Sequence, residues 1–331
     1  MQPPKCSDQD YIDFLIATPR STSCCEAART QPEVVNPAAH DAFTRLLHRI
    51  EPDPETLYRE VTPFVDKNDG MLVIDDSTLD KIYSKKIQPV HSHWSGKHKA
   101  IVRGINLISL VWTNGDRVFP VDYRLYDKPN DGLTKNDHFQ NLLNTAQQRG
   151  FKPRAVLFDS WYASLENLKL IRGFGWIFLT RLKSNRKVDL NRAGYQPVEK
   201  VAIAETGTVV HLEGFGSIRV FRVVSKDGDV AHWATNDLTM NELVRLELAE
   251  YSWSIEEYHR TLKQCCNIER CQCRSARAQR NHIGMAIRAF ARLSWNFYRT
   301  GVSWHEATTE ITREAVRRYR TNPGYRLGVT A

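Results

Sequence analysis

Met71-Leu72-Val73-Ile74-Asp75-Asp76 and Ala155-Val156-Leu157-Phe158-Asp159 are two apolar runs that each end in a carboxylate. Short apolar runs of this length predict buried strands. In an open α/β sheet the site lies just beyond the carboxyl ends of such strands. The two runs therefore predict a sheet that carries Asp76 and Asp159 at adjacent strand tips.

Working outward, Ala100 to Trp112 predicts a long strand, and Asn114-Gly115-Asp116 a hairpin turn into a third strand, Arg117 to Leu125. Asn136 to Gly150 predicts a helix closed by a glycine just past its end. Leu165 to Arg172 predicts another helix, and Trp176 to Leu182 another strand. Three strands in a meander, then helix, strand, helix, strand, is the order of a ribonuclease H-like fold. Residues 185–240 break that alternation. Val209 to Leu212, Ser217 to Val224 and Val230 to Ala234 read as strands punctuated by Gly214, Gly216 and Asp227-Gly228, a β-rich insertion.

A third carboxylate, Glu256, follows Asp159 at a distance in Trp253-Ser254-Ile255-Glu256-Glu257-Tyr258-His259-Arg260-Thr261-Leu262-Lys263. Helical spacing places Glu256, Arg260 and Lys263 on one face and Ile255, Tyr258 and Leu262 on the other. Three carboxylates from distant parts of a chain can converge on two hard cations such as Mg²⁺, which prefers oxygen ligands. Two such ions can clamp the attacking and leaving oxygens of a phosphoryl displacement.

At these residues the chain resembles the DDE transposases of bacterial insertion sequences, the IS4-like group and its IS701 branch. Ile74-Asp75-Asp76-Ser77-Thr78, Leu157-Phe158-Asp159-Ser160-Trp161-Tyr162 and Trp253 to Lys263 carry the likeness. Arg103-Gly104-Ile105-Asn106 and Trp233-Ala234-Thr235-Asn236 add to it. The resemblance implies Asp76, Asp159 and Glu256 as catalytic residues and ligands of two Mg²⁺ ions, with Mn²⁺ as a substitute. It implies action on terminal inverted repeats and target DNA, within a homodimeric synapse. Successive strand side chains point to opposite faces, so one of Asp75 and Asp76 aims at Asp159. The Asp-Ser-Thr frame favours Asp76, leaving Asp75 a hydrogen bond to a neighbouring loop.

The chain departs from the family where a Tyr and an Arg precede the glutamate; here Ala249 and Ser252 stand. A missing guanidinium removes a phosphate clamp, so Arg245 or Arg260 is expected to replace it, or the chain is a catalytically impaired or domesticated DNA-binding relative. Arg260 and Lys263 are candidate phosphate contacts. Trp253 and Trp233 are candidate platforms for a displaced base, against the commoner core role of tryptophan. The loop from Lys81 to Lys99 follows the first aspartate; Lys97 and Lys99 within it are candidate DNA contacts. His91 and His93, and Cys265, Cys266, Cys271 and Cys273, lack the spacing of a zinc site.

The chain has 331 residues, 41% hydrophobic and 25% charged, as in an ordinary globular protein. No apolar run is long enough to span a membrane, and Met1-Gln2-Pro3-Pro4-Lys5 lacks a secretory core; the expected location is the bacterial cytoplasm. The formal charge of +8 lies downstream of residue 250, since the first 250 residues balance. A basic C-terminal quarter suits a polyanionic partner. The expected organisation is a helical region over 1–65, helix-turn-helix-like or a packed cap. A ribonuclease H-like catalytic domain follows over 66–303, and a basic helix and tail over 304–331.

Overall fold

The computed structural model describes residues 4–19, 22–33, 35–95 and 100–324. The strands are β1 (Met71–Asp80), β2 (His91–Ser95), β3 (Ala100–Thr113), β4 (Val118–Tyr126), β5 (Ala155–Phe158) and β6 (Phe178–Leu182). Then come β7 (Lys187–Asp189), β8 (Gln196–Pro197), β9 (Thr208–Leu212), β10 (Gly216–Val224) and β11 (Val230–Thr235). The helices are α1 (Asp8–Ala17), α2 (Cys24–Arg29), α3 (His40–Arg49), α4 (Pro54–Val61), α5 (Lys128–Asp131) and α6 (Lys135–Gln148). After them lie α7 (Leu165–Gly173), α8 (Glu242–Tyr251), α9 (Ser254–Gln264), α10 (Ala276–Thr300) and α11 (Trp304–Thr321).

β1 pairs antiparallel with β3 and parallel with β5, β3 pairs antiparallel with β4, and β5 runs parallel to β6. The order β4-β3-β1-β5-β6 is the expected ribonuclease H-like core. Leu72, Ile74, Val156 and Phe178 are buried in it, which is why these strands read as near-continuous apolar runs. The Asn114-Gly115 turn forms as expected. Gly115 has φ +98°, and a Cβ there would stand 2.7 Å from the Tyr251 ring, so only glycine fits.

Three features differ from expectation. β1 does not stop at Asp76: β3 is long enough to pair with it as far as Asp80↔Gly104, so both aspartates sit inside a strand. His91–Ser95, expected as loop, pairs with the outer end of β3. The insertion forms with two additional short strands, β7 and β8, and continues the same sheet, because β11 pairs antiparallel with β6.

The chain divides into two compact units: residues 54–84 and 89–258, which hold the sheet, and residues 1–53, 85–88 and 259–331. In the sheet unit, α4 is held by Arg149, whose guanidinium binds Glu55 at 2.7 Å and lies 3.9 Å from the Tyr58 ring centroid. A capping box between Thr134 and Asp137 starts α6.

The helical unit is built on α10, capped by Ser275 at its start and Gly301 at its end. Asn281 donates to the Leu47 and Ile50 carbonyls at 2.8 and 2.7 Å, which ties α3 to it. The Tyr11 hydroxyl meets His282 Nδ1 at 3.0 Å, and Arg288 meets Asp8 at 2.6 Å, which ties α1 to it. The N-terminal helices α1 and α3 thus pack on α10. The spacing of Ala278, His282, Met285, Ala289 and Leu293 was the available signal for α10. Cys265, Cys266 and Cys271 are buried as small apolar groups. α11 is amphipathic, yet none of its residues is buried. Among the described residues no helix is long and apolar enough to cross a membrane.

Candidate active site

The site lies in the sheet unit, where β1 and the end of β5 bring Asp75, Asp76 and Asp159 together and Glu256 on α9 comes within electrostatic reach of Asp75. Asp76 is held by three donors. Its Oδ2 accepts from Lys135 Nζ and from Asn106 Nδ2, each at 2.7 Å, and its Oδ1 accepts from the Tyr162 hydroxyl at 2.7 Å. Each donor follows from local structure. Asn106 shares the Asp76 face on the neighbouring strand. Lys135 is the first residue of α6. Tyr162 ends the turn after β5, its ring stacked on Phe139 of α6 at 5.1 Å. Burial pushes the Asp76 carboxyl up, but the Lys135 ammonium and the hydrogen bonds from Lys135, Asn106 and Tyr162 outweigh it and hold the pKa below the usual value.

Asp75 points the other way. Its cross-strand partner is Ser109, whose hydroxyl donates at 3.3 Å to the Tyr258 hydroxyl on α9. Burial pushes the Asp75 carboxyl well up, and the charges of Asp76, Asp159 and Glu256 push it further, against one hydrogen bond from the Asp76 backbone N–H. Asp75 thus feels the charges of the other three acidic side chains.

Asp159 follows Phe158, which registers with Ile74, so it stands just past β5 next to the Asp75-Asp76 pair. Its Oδ1 accepts from the Trp161 backbone N–H at 2.8 Å, which folds the turn. Burial raises its pKa; the Trp161 and Tyr162 N–H groups oppose, and the Asp76 charge adds to the rise. Glu256 lies in the first turn of α9 and is exposed.

Among the described residues, no three His, Cys, Asp or Glu side chains stand together closely enough to hold a metal ion as they are. The donor set is nonetheless all hard oxygen, which suits Mg²⁺ or Mn²⁺. Grouped carboxylates are what a divalent cation would balance, and the Lys135 ammonium already balances one charge at Asp76.

The other sequence candidates are scattered. Trp253 is 56% exposed just before α9, whereas Trp233 on β11 is 8% exposed with the Arg181 guanidinium 4.9 Å from its ring centroid. Arg260 is exposed on α9, and Lys263 pairs with Glu269 at 3.2 Å. Lys97 and Lys99 lie outside the described residues. Arg245, one expected replacement for the missing guanidinium, is buried with its Cζ 5.8 Å from the Phe221 ring centroid. At the departures, the Ser252 hydroxyl donates to the Ala249 carbonyl at 2.6 Å and so caps α8. Sequence reasoning passed over Lys135, Asn106 and Tyr162. Asn106 and Tyr162 lay inside the family-like motifs, but Lys135 had no local signal.

The profile of the Transposase DDE domain matches residues 67–292, more than half of the chain. No curated protein matches the sequence significantly. Among solved structures, the chain is similar to the piggyBac transposase synaptic complex with hairpin DNA, seen by cryo-electron microscopy. The identity is 12% and the TM-score 0.49, over 98% of this chain and 76% of that one. The Drosophila P element transposase strand transfer complex gives 10% identity and a TM-score of 0.29, over 59% of this chain and 48% of that one. The Mos1 strand transfer complex gives 13% and 0.20, over 53% and 58%. The matched profile begins ahead of β1 and ends within α10, enclosing Asp75, Asp76, Asp159 and Glu256, and the chain belongs to the Transposase DDE domain family.

Proposed function

We propose that the chain is the DNA transposase of a bacterial insertion sequence, of the IS4-like superfamily and its IS701 branch. It cuts element ends and joins them to target DNA by phosphoryl transfer. The observation that carries this reading is the grouping of Asp75 and Asp76 on β1 with Asp159 just past β5, Asp76 bonded by Lys135 at 2.7 Å, within a matched DDE domain. Of the two neighbouring aspartates, Asp76 is the proposed ligand. Its charge acts on Asp159, and Lys135, Asn106 and Tyr162 hold its carboxyl in the charged form that a cation needs. Asp76, Asp159 and Glu256 would hold the metal, and Lys135 would orient Asp76 and balance its charge.

Two divalent ions supply, when bound, Lewis acidity and an activated oxygen nucleophile at the scissile phosphate. Lys135 places a cation at the reacting centre, and exposed Arg260 offers a guanidinium to the DNA backbone. Hydrolysis breaks a phosphodiester and leaves a 3′-hydroxyl; that hydroxyl then attacks a target phosphate. The protein acts in the cytoplasm as a homodimer on double-stranded DNA bearing terminal inverted repeats.

A second reading rests on Ala249, Ser252 and the burial of Arg245, which leave α8 without a guanidinium free for phosphate: a DNA-binding relative that does not cut. One experiment separates the two. A duplex carrying the ends of the flanking element is incubated with Mg²⁺ and wild type, Asp75→Asn, Asp76→Asn or Asp159→Asn. The transposase reading expects cleavage by wild type and none by Asp76→Asn or Asp159→Asn. Binding without cleavage by the wild type supports the second reading.

A further inference from the structure

Strand register and alternation put Asp76, Asn106, Tyr126 and His93 on one face of the sheet. Helix α6 packs against β3 and β4. Its first residue, Lys135, reaches this face, with Nζ 2.7 Å from Asp76 Oδ2 and 5.9 Å from the Tyr126 ring centroid. The His93 ring centroid also stands 5.9 Å from that of Tyr126. His91, two residues before, is engaged by Asp127 at 2.9 Å.

Among the described residues, two buried atoms of this face have no hydrogen-bond partner, Asn106 Oδ1 and His93 Nε2. The residues are 1% and 8% exposed. Asn106 turns its amide N–H to Asp76 Oδ2, which leaves its carbonyl oxygen over. His93 bonds the Gly104 backbone. That bond takes Nδ1 as the donor, so Nε2 keeps a lone pair. Burial lowers the pKa of the ring, and the Lys135 and His91 charges lower it further, which keeps it neutral at neutral pH. Both orphaned atoms are therefore neutral acceptors, and an interior acceptor left unpaired is costly. Lys135 carries three N–H donors. Its ammonium and the Asn106 amide already meet on one oxygen of Asp76.

We propose that His93 is a positioning residue of the carboxylate site: its Nε2, with Asn106 Oδ1, takes the Lys135 ammonium when a divalent cation displaces it from Asp76. The inference rests on reading Asp76 as a metal ligand. Two positive charges in contact with one oxygen repel strongly in a part-buried site. An ammonium pushed off that oxygen needs other acceptors, because burying it unpaired costs more than the contact it lost. The two orphaned atoms supply them without adding charge. Lys135 then stays beside the site as a cation and leaves the Asp76 oxygen to the metal.

The test uses the full chain without DNA and reads metal binding, not cleavage. Calorimetry gives the Mg²⁺ affinity of wild type, His93→Leu, His93→Gln and Asp76→Asn. His93→Leu keeps the bulk and removes the acceptor. It should weaken Mg²⁺ binding roughly tenfold, the loss of one hydrogen bond to a charged group. His93→Gln carries a side-chain carbonyl that accepts, and should restore most of the affinity. A crystal structure of the wild type with Mn²⁺ should show Lys135 Nζ bonded to His93 Nε2 or Asn106 Oδ1. That structure decides the matter even if His93→Leu fails to fold. Nζ still on Asp76, or turned out to solvent, overturns the proposal. So does a folded His93→Leu that binds Mg²⁺ like wild type, or a His93→Gln as weak as His93→Leu. In each of these cases loss of Mg²⁺ binding in Asp76→Asn leaves the metal reading standing. Wild type that binds no Mg²⁺ overturns both.

Discussion

Asp75 and Asp76 are neighbours in sequence, lie on opposite faces of β1 and titrate in opposite directions. Burial and three other carboxylates drive the Asp75 carboxyl well above its usual pKa, while Lys135, Asn106 and Tyr162 hold that of Asp76 below it. One strand thus presents a satisfied carboxylate to α6 and a frustrated one toward α9. Frustration of this kind is typical of functional sites, where local stability is given up for binding.

The first prediction concerns pH. An acid whose folded pKa is raised binds more protons folded than unfolded, so stability falls as pH climbs above the unfolded value. For Asp75 that fall starts near the ordinary 3.8 and continues toward its raised pKa. In metal-free protein, Asp75→Asn should therefore raise Tm by a few degrees at neutral pH and leave it unchanged below about pH 4. Thermal melts of both proteins across pH check this; an equal or lower Tm for the variant at pH 7 would refute the repulsion.

Divalent cations should act on the same carboxylates. A ligand that binds only the folded state stabilises by mass action. Mg²⁺ in excess should raise the Tm of wild type, and raise that of Asp76→Asn, Asp159→Asn or Glu256→Gln distinctly less. A Mg²⁺ response that survives all three substitutions would place the ions elsewhere.

Asp159→Asn should abolish strand cleavage while DNA binding stays near wild type or tightens, because one carboxylate beside phosphate is gone. Gel-shift and cleavage assays on one duplex measure both. Collapse of binding in a protein that remains folded would make Asp159 a structural residue.

Lys135 is the counter-ion of a largely buried carboxylate, with 20% and 18% of the two side chains exposed. Removing one partner of such a pair leaves a stranded charge. Lys135→Met should destabilise toward the lower end of about 3–5 kcal/mol, because Asn106 and Tyr162 still bond Asp76. Urea titration reads the loss. Lys135→Met combined with Asp76→Asn should recover part of it, and a double variant no better than the single would rule out the charge pair.

Salt dependence should separate the arginines of α11. Arg313 pairs with Glu306 and Glu310, and Arg317 with Glu310, on their own helix. Such exposed pairs add little stability, but they neutralise the two cations. Arg318 and Arg320 are then the arginines of this helix best placed to meet phosphate. Their joint replacement by Ala should make log K against log salt shallower by about 0.9 for each phosphate left unneutralised. Replacing Arg313 and Arg317 should change it less. Equal slopes for wild type and both variants would take the DNA path away from α11.

The sequence by itself determined the core. Apolar runs at Met71–Ile74 and Ala155–Phe158 can be stable only as strands buried on both faces, and the Asn114-Gly115 turn admits little but a hairpin. It also placed Glu256 opposite Ile255, Tyr258 and Leu262, since helical periodicity is local. Tertiary structure alone decided which aspartate is satisfied. The donors to Asp76 come from Asn106, Lys135 and Tyr162, 30, 59 and 86 residues away, and no local pattern carries an interaction at that range. It also extended β1 to Asp80, because a strand ends where its partner β3 ends and not where its apolar run does. The burial of Arg245 and Trp233 and the exposure of Trp161 were likewise invisible in the sequence. An arginine or a tryptophan reads alike in a core and on a surface, and only the packing of neighbouring elements decides how much of each meets water.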